Sequence, residues 1–128
     1  MELGIMMCFI TFIICGPAFI LVGFLQYNKK TPAAFYSGEN PPDSDELTDV
    51  AAWNKYHGYL WIAYGLLFIL DPFLLLLSEN INTGIILLAA AVLIETAVMY
   101  IGHQVLIRKY RIRRRTDRRR ATDRLTKE

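Results

Sequence analysis

The sequence predicts an all-α integral membrane protein, with three transmembrane helices, an interfacial cytoplasmic loop and a basic C-terminal tail. Three observations predict it. Hydrophobic residues make up 54% of the 128 positions, above the roughly 45–50% usual in soluble domains. The surplus is gathered into three apolar runs, about 4–25, 58–77 and 83–107. Each run approaches or exceeds the roughly 20 residues needed to cross about 30 Å of hydrocarbon. Charge is divided just as sharply. Residues 1–107 hold three Lys/Arg against nine Asp/Glu, a net of −6, and residues 108–128 hold eleven against three, a net of +8.

The first run, Gly4 to Leu25, carries no charge. It starts after Met1-Glu2-Leu3, which is acidic where a secretory signal has a basic n-region, so a retained helix is expected here. Gly16-Pro17 predicts a kink. Gly16 and Gly23, with Ala18 nearby, would let another helix approach closely. Cys8 and Cys15 lie seven residues apart, about 10 Å along a helix, which is too far for a disulfide. The second run is charged only at Asp71, next to Pro72, and the third only at Glu95.

Lys and Arg near the span ends set the orientation. Lys29 and Lys30 follow the first span, and Arg108, Lys109, Arg111, Arg113, Arg114 and Arg115 follow the third. The turn 78–82 has no basic residue. The consistent arrangement has the N-terminus outside, residues 26–57 inside and the tail inside, in a cell membrane. One transmembrane domain, 1–107, is thus followed by a cytoplasmic tail, 108–128. The tail basics are expected to lie against anionic inner-leaflet lipids at about 1 kcal/mol each. Nucleic acid is not expected as a partner, because no aromatic residue beyond Tyr110 is interleaved with these charges.

Within the loop, Gly38-Glu39-Asn40-Pro41-Pro42 is turn chemistry, and its acids read as a solvated linker. A helix is expected to resume near Thr48 or Asp49, either of which suits an N-cap. Trp53, Tyr56, Tyr59 and Trp61 then form an aromatic belt at headgroup depth.

The intramembrane polar groups are the candidate site. A carboxylate at a helix centre costs about 2.5–3.5 kcal/mol on insertion scales, so Glu95 and Asp71 must be shielded, paired or protonated. Asn54, His57, Trp61, Tyr64, Phe68 and Asp71 follow 3-4-3-4-3 spacing and share one helical face. Val92, Glu95, Met99 and His103 share another. Folding back near residue 80 levels His57 with His103, and Tyr64 with Glu95 and Thr96. A Tyr64 hydroxyl donating to Glu95, and a meeting of the two histidines, are therefore expected. Asp71 reads as a kink residue facing a wet outer cavity. No metal is expected, since two histidines without a third ligand make a poor zinc site. No cofactor motif or catalytic constellation is present, and the chain reads as a non-enzyme.

The segment Asp49-Val50-Ala51-Ala52-Trp53-Asn54-Lys55-Tyr56-His57-Gly58, leading straight into a span, carries a resemblance. Together with Lys29-Lys30 and Phe35-Tyr36-Ser37-Gly38, it resembles small three-span membrane proteins of Firmicutes of unknown function. The Trp-Asn-x-x-His-Gly entry is also similar to part of the Sdp-type toxin-immunity membrane proteins, whose flanking arginine-proline motif is absent here. The resemblance implies a bacterial cytoplasmic membrane and a fold, and no activity. The leading expectation is a protein acting by association, as an accessory, regulatory or immunity-type component with a homo-oligomeric or other membrane partner. The alternative is a proton- or cation-coupled transporter or channel working as an oligomer through Glu95 and Asp71.

Overall fold

The computed structural model describes residues 2–35, 39–112 and 121–127. Within residues 3–110 the helices follow in order: α1 (Leu3–Tyr27), α2 (Val50–Leu70), α3 (Phe73–Leu77) and α4 (Ile81–Tyr110). A short 3₁₀ turn, Ser44–Glu46, interrupts the loop between α1 and α2. No strand occurs among the described residues, apart from an isolated bridge between Leu47 and Arg111. Three segments, Leu3–Tyr27, Val50–Leu77 and Ile81–Tyr110, are long and apolar enough to cross a membrane. The chain is accordingly a three-span, all-α membrane protein.

The Gly16-Pro17 pair does not break α1, which runs unbroken through it. The second span is broken instead at Asp71-Pro72. There Pro72 takes the N-cap of the five-residue α3, consistent with proline's missing donor and its steric clash with the preceding turn. The Asp49 carboxylate caps α2 by accepting from the Ala52 N–H at 3.0 Å, and Asn80 caps α4 through the Asn82 N–H. Each cap satisfies a backbone donor that a helix start leaves open.

Helices α1 and α2 are the most tightly packed pair. Gly16 faces Gly65 and Gly23 faces Gly58, in antiparallel register. A Cβ built on Gly58 would lie 2.7 Å from the Gly23 carbonyl oxygen, and one on Gly65 would lie 2.6 Å from that of Gly16. Only glycine tolerates such backbone approach. Aromatic rings fill the adjoining layer: Phe12 stacks on Phe68 at 4.3 Å, and Phe19 meets Trp61, Tyr64 and Phe68. Helix α4 lies against α2 and α3, with most of its circumference open. Leu93, Ile94, Val98, Ile101 and Val105 are exposed, as the lipid-facing side of a span must be.

At the loop end a small core of Leu47, Trp53, Leu106 and Tyr110 ties the connection down. The Thr48 N–H donates to the Tyr110 carbonyl, and the Ile112 N–H donates to that of Glu46, both at 2.8 Å. Arg111 pairs with Glu46 at 3.8 Å. Both cysteines are free.

Candidate functional site

The site follows the seam between α2 and α4 and begins under the loop. Residues 28–35 cross the ends of the helices as a strap, held by two buried side chains of α2. Asn54 accepts from the Ala33 N–H at 2.8 Å and donates to the Lys29 and Thr31 carbonyls at 2.8 and 2.9 Å. The Trp53 indole N–H donates to the Ala33 carbonyl at 3.0 Å. Backbone groups buried away from regular structure need partners, and these two side chains supply them. Trp53 is only 2% exposed, so it is a strap anchor rather than a member of the headgroup belt. Tyr56 and Tyr59 do lie exposed, with the Lys109 and Lys55 ammonium groups over their rings.

Beneath the strap the two histidines meet, as the register argument expects. His57 Nε2 lies 2.8 Å from His103 Nδ1, and both rings are buried. His57 Nδ1 lies 2.8 Å from the Trp53 carbonyl oxygen, and His103 Nε2 lies 3.2 Å from Glu39 Oε1. The other oxygen of Glu39 accepts from the Phe35 N–H. Phe35 also lays its ring flat on His103, 4.2 Å between centroids. The loop acids are therefore not a solvated linker: Glu39, Glu46 and Asp49 each hold a specific partner. Glu39 and His57 lie on opposite sides of the His103 ring, so the three do not converge on one point. No cluster able to hold a metal occurs among the described residues.

Further along the seam, the Tyr64 hydroxyl meets Thr96 Oγ1 at 3.4 Å. The expected donation to Glu95 is absent, because Thr96 occupies the level at which the tyrosine points. Thr96 itself donates to the Val92 carbonyl at 2.8 Å. Glu95 instead lies near Asp71, the other carboxyl inside the spans. Asp71 is 6% exposed, so it faces Glu95 rather than a wet cavity. Asp71 Oδ2 and Glu95 Oε2 are buried with no hydrogen-bond partner among the described residues. Tyr64 and Glu95 also border an apolar notch of about 220 Å³ between α2 and α4, with Leu60, Leu67, Val98 and Met99.

A second cavity, about 440 Å³, lies between the strap, α1 and α2, walled by Phe19, Val22, Gln26, Ala34, Phe35 and Trp61. Gln26 donates to the Ala34 carbonyl at 2.8 Å. Its side-chain oxygen and the Trp61 N–H have no partner among the described residues.

Of the tail basics, Arg108 and Lys109 occupy the last turn of α4, and Arg111 is engaged by Glu46. The lipid contacts expected of Arg113, Arg114 and Arg115 lie outside the described residues. Local sequence signals missed Glu39 and Phe35, which are distant from both histidines in the chain and show no periodic relation to them. No known protein family, curated protein or solved structure matches the chain.

Proposed function

We propose that this chain is a non-enzymatic, multi-pass membrane protein that handles protons along the α2/α4 seam, working as an oligomer. The observation that carries this reading is a pair of carboxyl groups inside the spans, Asp71 and Glu95, each with a buried oxygen that has no hydrogen-bond partner among the described residues. Intramembrane carboxyls are costly, and where they occur in transport proteins they mark ion or proton paths. The same seam carries Tyr64 and Thr96 and ends in the Glu39–His103–His57 chain. Protonatable or hydroxyl groups thus occur at both ends and in the middle. Three helices do not enclose a pathway, so the open side of α4 would be covered by a further copy. With the basic tail in the cytoplasm, the histidines face the inner leaflet and the carboxyl pair the outer half of the bilayer.

The test is purified protein in liposomes loaded with a pH-sensitive dye, under an imposed potassium diffusion potential. Proton flux above that of protein-free vesicles, abolished by Glu95→Gln, is expected. Flux equal to that of empty vesicles sinks the proposal.

A second reading, association with a membrane partner in an accessory, regulatory or immunity-type role, is favoured by the apolar notch that Leu60, Leu67, Val98 and Met99 leave open between α2 and α4. A cysteine at Val98, introduced after Cys8 and Cys15 are changed to serine, distinguishes the two. Cross-linking in native membranes to one stoichiometric foreign protein supports this second reading. Cross-linking only to copies of the same chain supports the first.

A further inference from the structure

Counting hydrogens along the buried histidine chain gives a result that the distances alone do not. The chain runs Trp53 carbonyl, His57, His103, Glu39, with three contacts of 2.8, 2.8 and 3.2 Å. Each hydrogen bond needs one hydrogen. The carbonyl and a carboxylate have none to give, and each neutral imidazole has one. Two neutral rings therefore supply two hydrogens for three bonds.

The count is independent of tautomer. The third hydrogen completes the chain on His103 as an imidazolium, on His57 as an imidazolium, or on Glu39 as a carboxylic acid. In every case the total is one proton more than two neutral rings and a carboxylate hold. We infer that Glu39, His103 and His57 form a single-proton site which, when loaded, fastens the strap and α4 to α2.

The surroundings fit that role. His57 has no exposed surface and His103 is 4% exposed, so an empty site gains little help from water. Loaded, the group as a whole is uncharged: one imidazolium against one carboxylate, or two neutral rings beside a carboxylic acid. Burial disfavours an isolated imidazolium, and the adjacent carboxylate favours one. Phe35 packs flat on His103 and donates its N–H to Glu39, so strap, carboxylate and ring are fixed as a unit.

Other charged groups share this end of the bundle: Lys29 and Lys30 on the strap, Lys55 on α2, Arg108 and Lys109 on α4, and the Glu46–Arg111 pair. Among the described residues none of these makes an ion pair with either ring. Loss of the proton leaves two acceptors facing each other at one of the three contacts, and that contact must part. The sign follows: the packing is complete while the proton is bound and loosens as pH rises through its release. This site is separate from the Asp71–Glu95 pair and does not require that the seam conduct.

The chain contains only two histidines, so ¹⁵N-histidine labelling of the full chain in detergent micelles or nanodiscs reports the site without overlap. Spectra are taken from about pH 4.5 to about pH 9, spanning the ordinary imidazole range. The expected result is that both rings change together in one step that takes up one proton. In Glu39→Gln the amide NH₂ donates to His103 Nε2 while its oxygen keeps the Phe35 N–H, so three bonds form with two neutral rings. That variant is expected to lose the shared step while keeping its fold. A second readout is thermal stability above about pH 7.5, where unfolded imidazoles have released their protons; there it should fall as the site empties in the wild type and stay level in Glu39→Gln. Two rings titrating independently, or a Glu39→Gln titration identical to that of the wild type, overturns the inference.

Discussion

Substituting Gly65 by alanine tests the packing on which the rest of the bundle is mounted. The added methyl would lie 2.6 Å from the Gly16 carbonyl oxygen and 2.9 Å from the Ile20 nitrogen. Both are backbone atoms of a helix, so neither can rotate aside. Relief requires α1 and α2 to move apart, which loosens the Phe12–Phe68 stack and the Phe19 cluster beside it. Overpacking of this kind costs about 1–3 kcal/mol. Replacing glycine within a helix returns roughly 0.5–1 kcal/mol through the unfolded and helical backbone, so the net loss is about 0–2.5 kcal/mol.

The control is Gly4→Ala, where a Cβ meets nothing within 4 Å and only the favourable part remains. The two variants share that favourable part and should therefore differ by the overpacking cost alone, about 1–3 kcal/mol, around 5- to 140-fold in unfolding equilibrium. Equilibrium unfolding in mixed micelles of dodecyl maltoside and increasing dodecyl sulfate, followed by circular dichroism, reads the difference. The double substitution Gly58→Ala/Gly65→Ala should cost less than the sum of its parts, because helices already parted accept a second methyl cheaply. A Gly65→Ala protein as stable as Gly4→Ala would refute the reasoning.

Two further outcomes are expected. Asn54→Ala removes three hydrogen bonds at about 1 kcal/mol each and should release the strap; amide exchange at Ala33 would then accelerate strongly while amides inside α1 stay protected. Tyr64→Phe should change stability by less than about 0.5 kcal/mol, since its 3.4 Å contact is long and Thr96 already has the Val92 carbonyl; combined with Glu95→Gln in a double-mutant cycle the two effects should add.

The spans, their number and the fold-back register were legible because hydrophobic length and a tight turn are local properties of a chain. The register brought His57 level with His103 and Tyr64 level with Thr96, as the structure has them. It failed at Glu95, because equal depth fixes where a Cα lies and not which way a long side chain leans. Gly16 and Gly23 are readable as a close-approach pair, and Gly58 and Gly65, their partners in α2, carry the same seven-residue spacing. The loop was misread for a different reason. Composition gives Gly38-Glu39-Asn40-Pro41-Pro42 as a solvated turn, and only the tertiary placement of Phe35 on His103 turns one of those acids into the end of a buried hydrogen-bonded chain. Trp53 likewise carries a belt residue's chemistry, and its role as an anchor depends on a carbonyl twenty residues earlier.

The division of labour among the helices has an energetic logic. Lipid offers no hydrophobic drive for one apolar helix to meet another, so close packing and hydrogen bonding must hold a bundle together. On one side α2 meets α1 through glycines and stacked rings, a contact of shape that neither pH nor a ligand readily alters. On the other it meets α4 through His57–His103 and Tyr64–Thr96, with Asp71 near Glu95, and the full chain from the Trp53 carbonyl to Glu39 needs one hydrogen more than two neutral rings hold. On the one-proton reading of the histidine chain, a change in proton activity would act on the α2–α4 contact and the strap, while the glycine contact of α1 with α2, which holds no titratable group, would stay as it is.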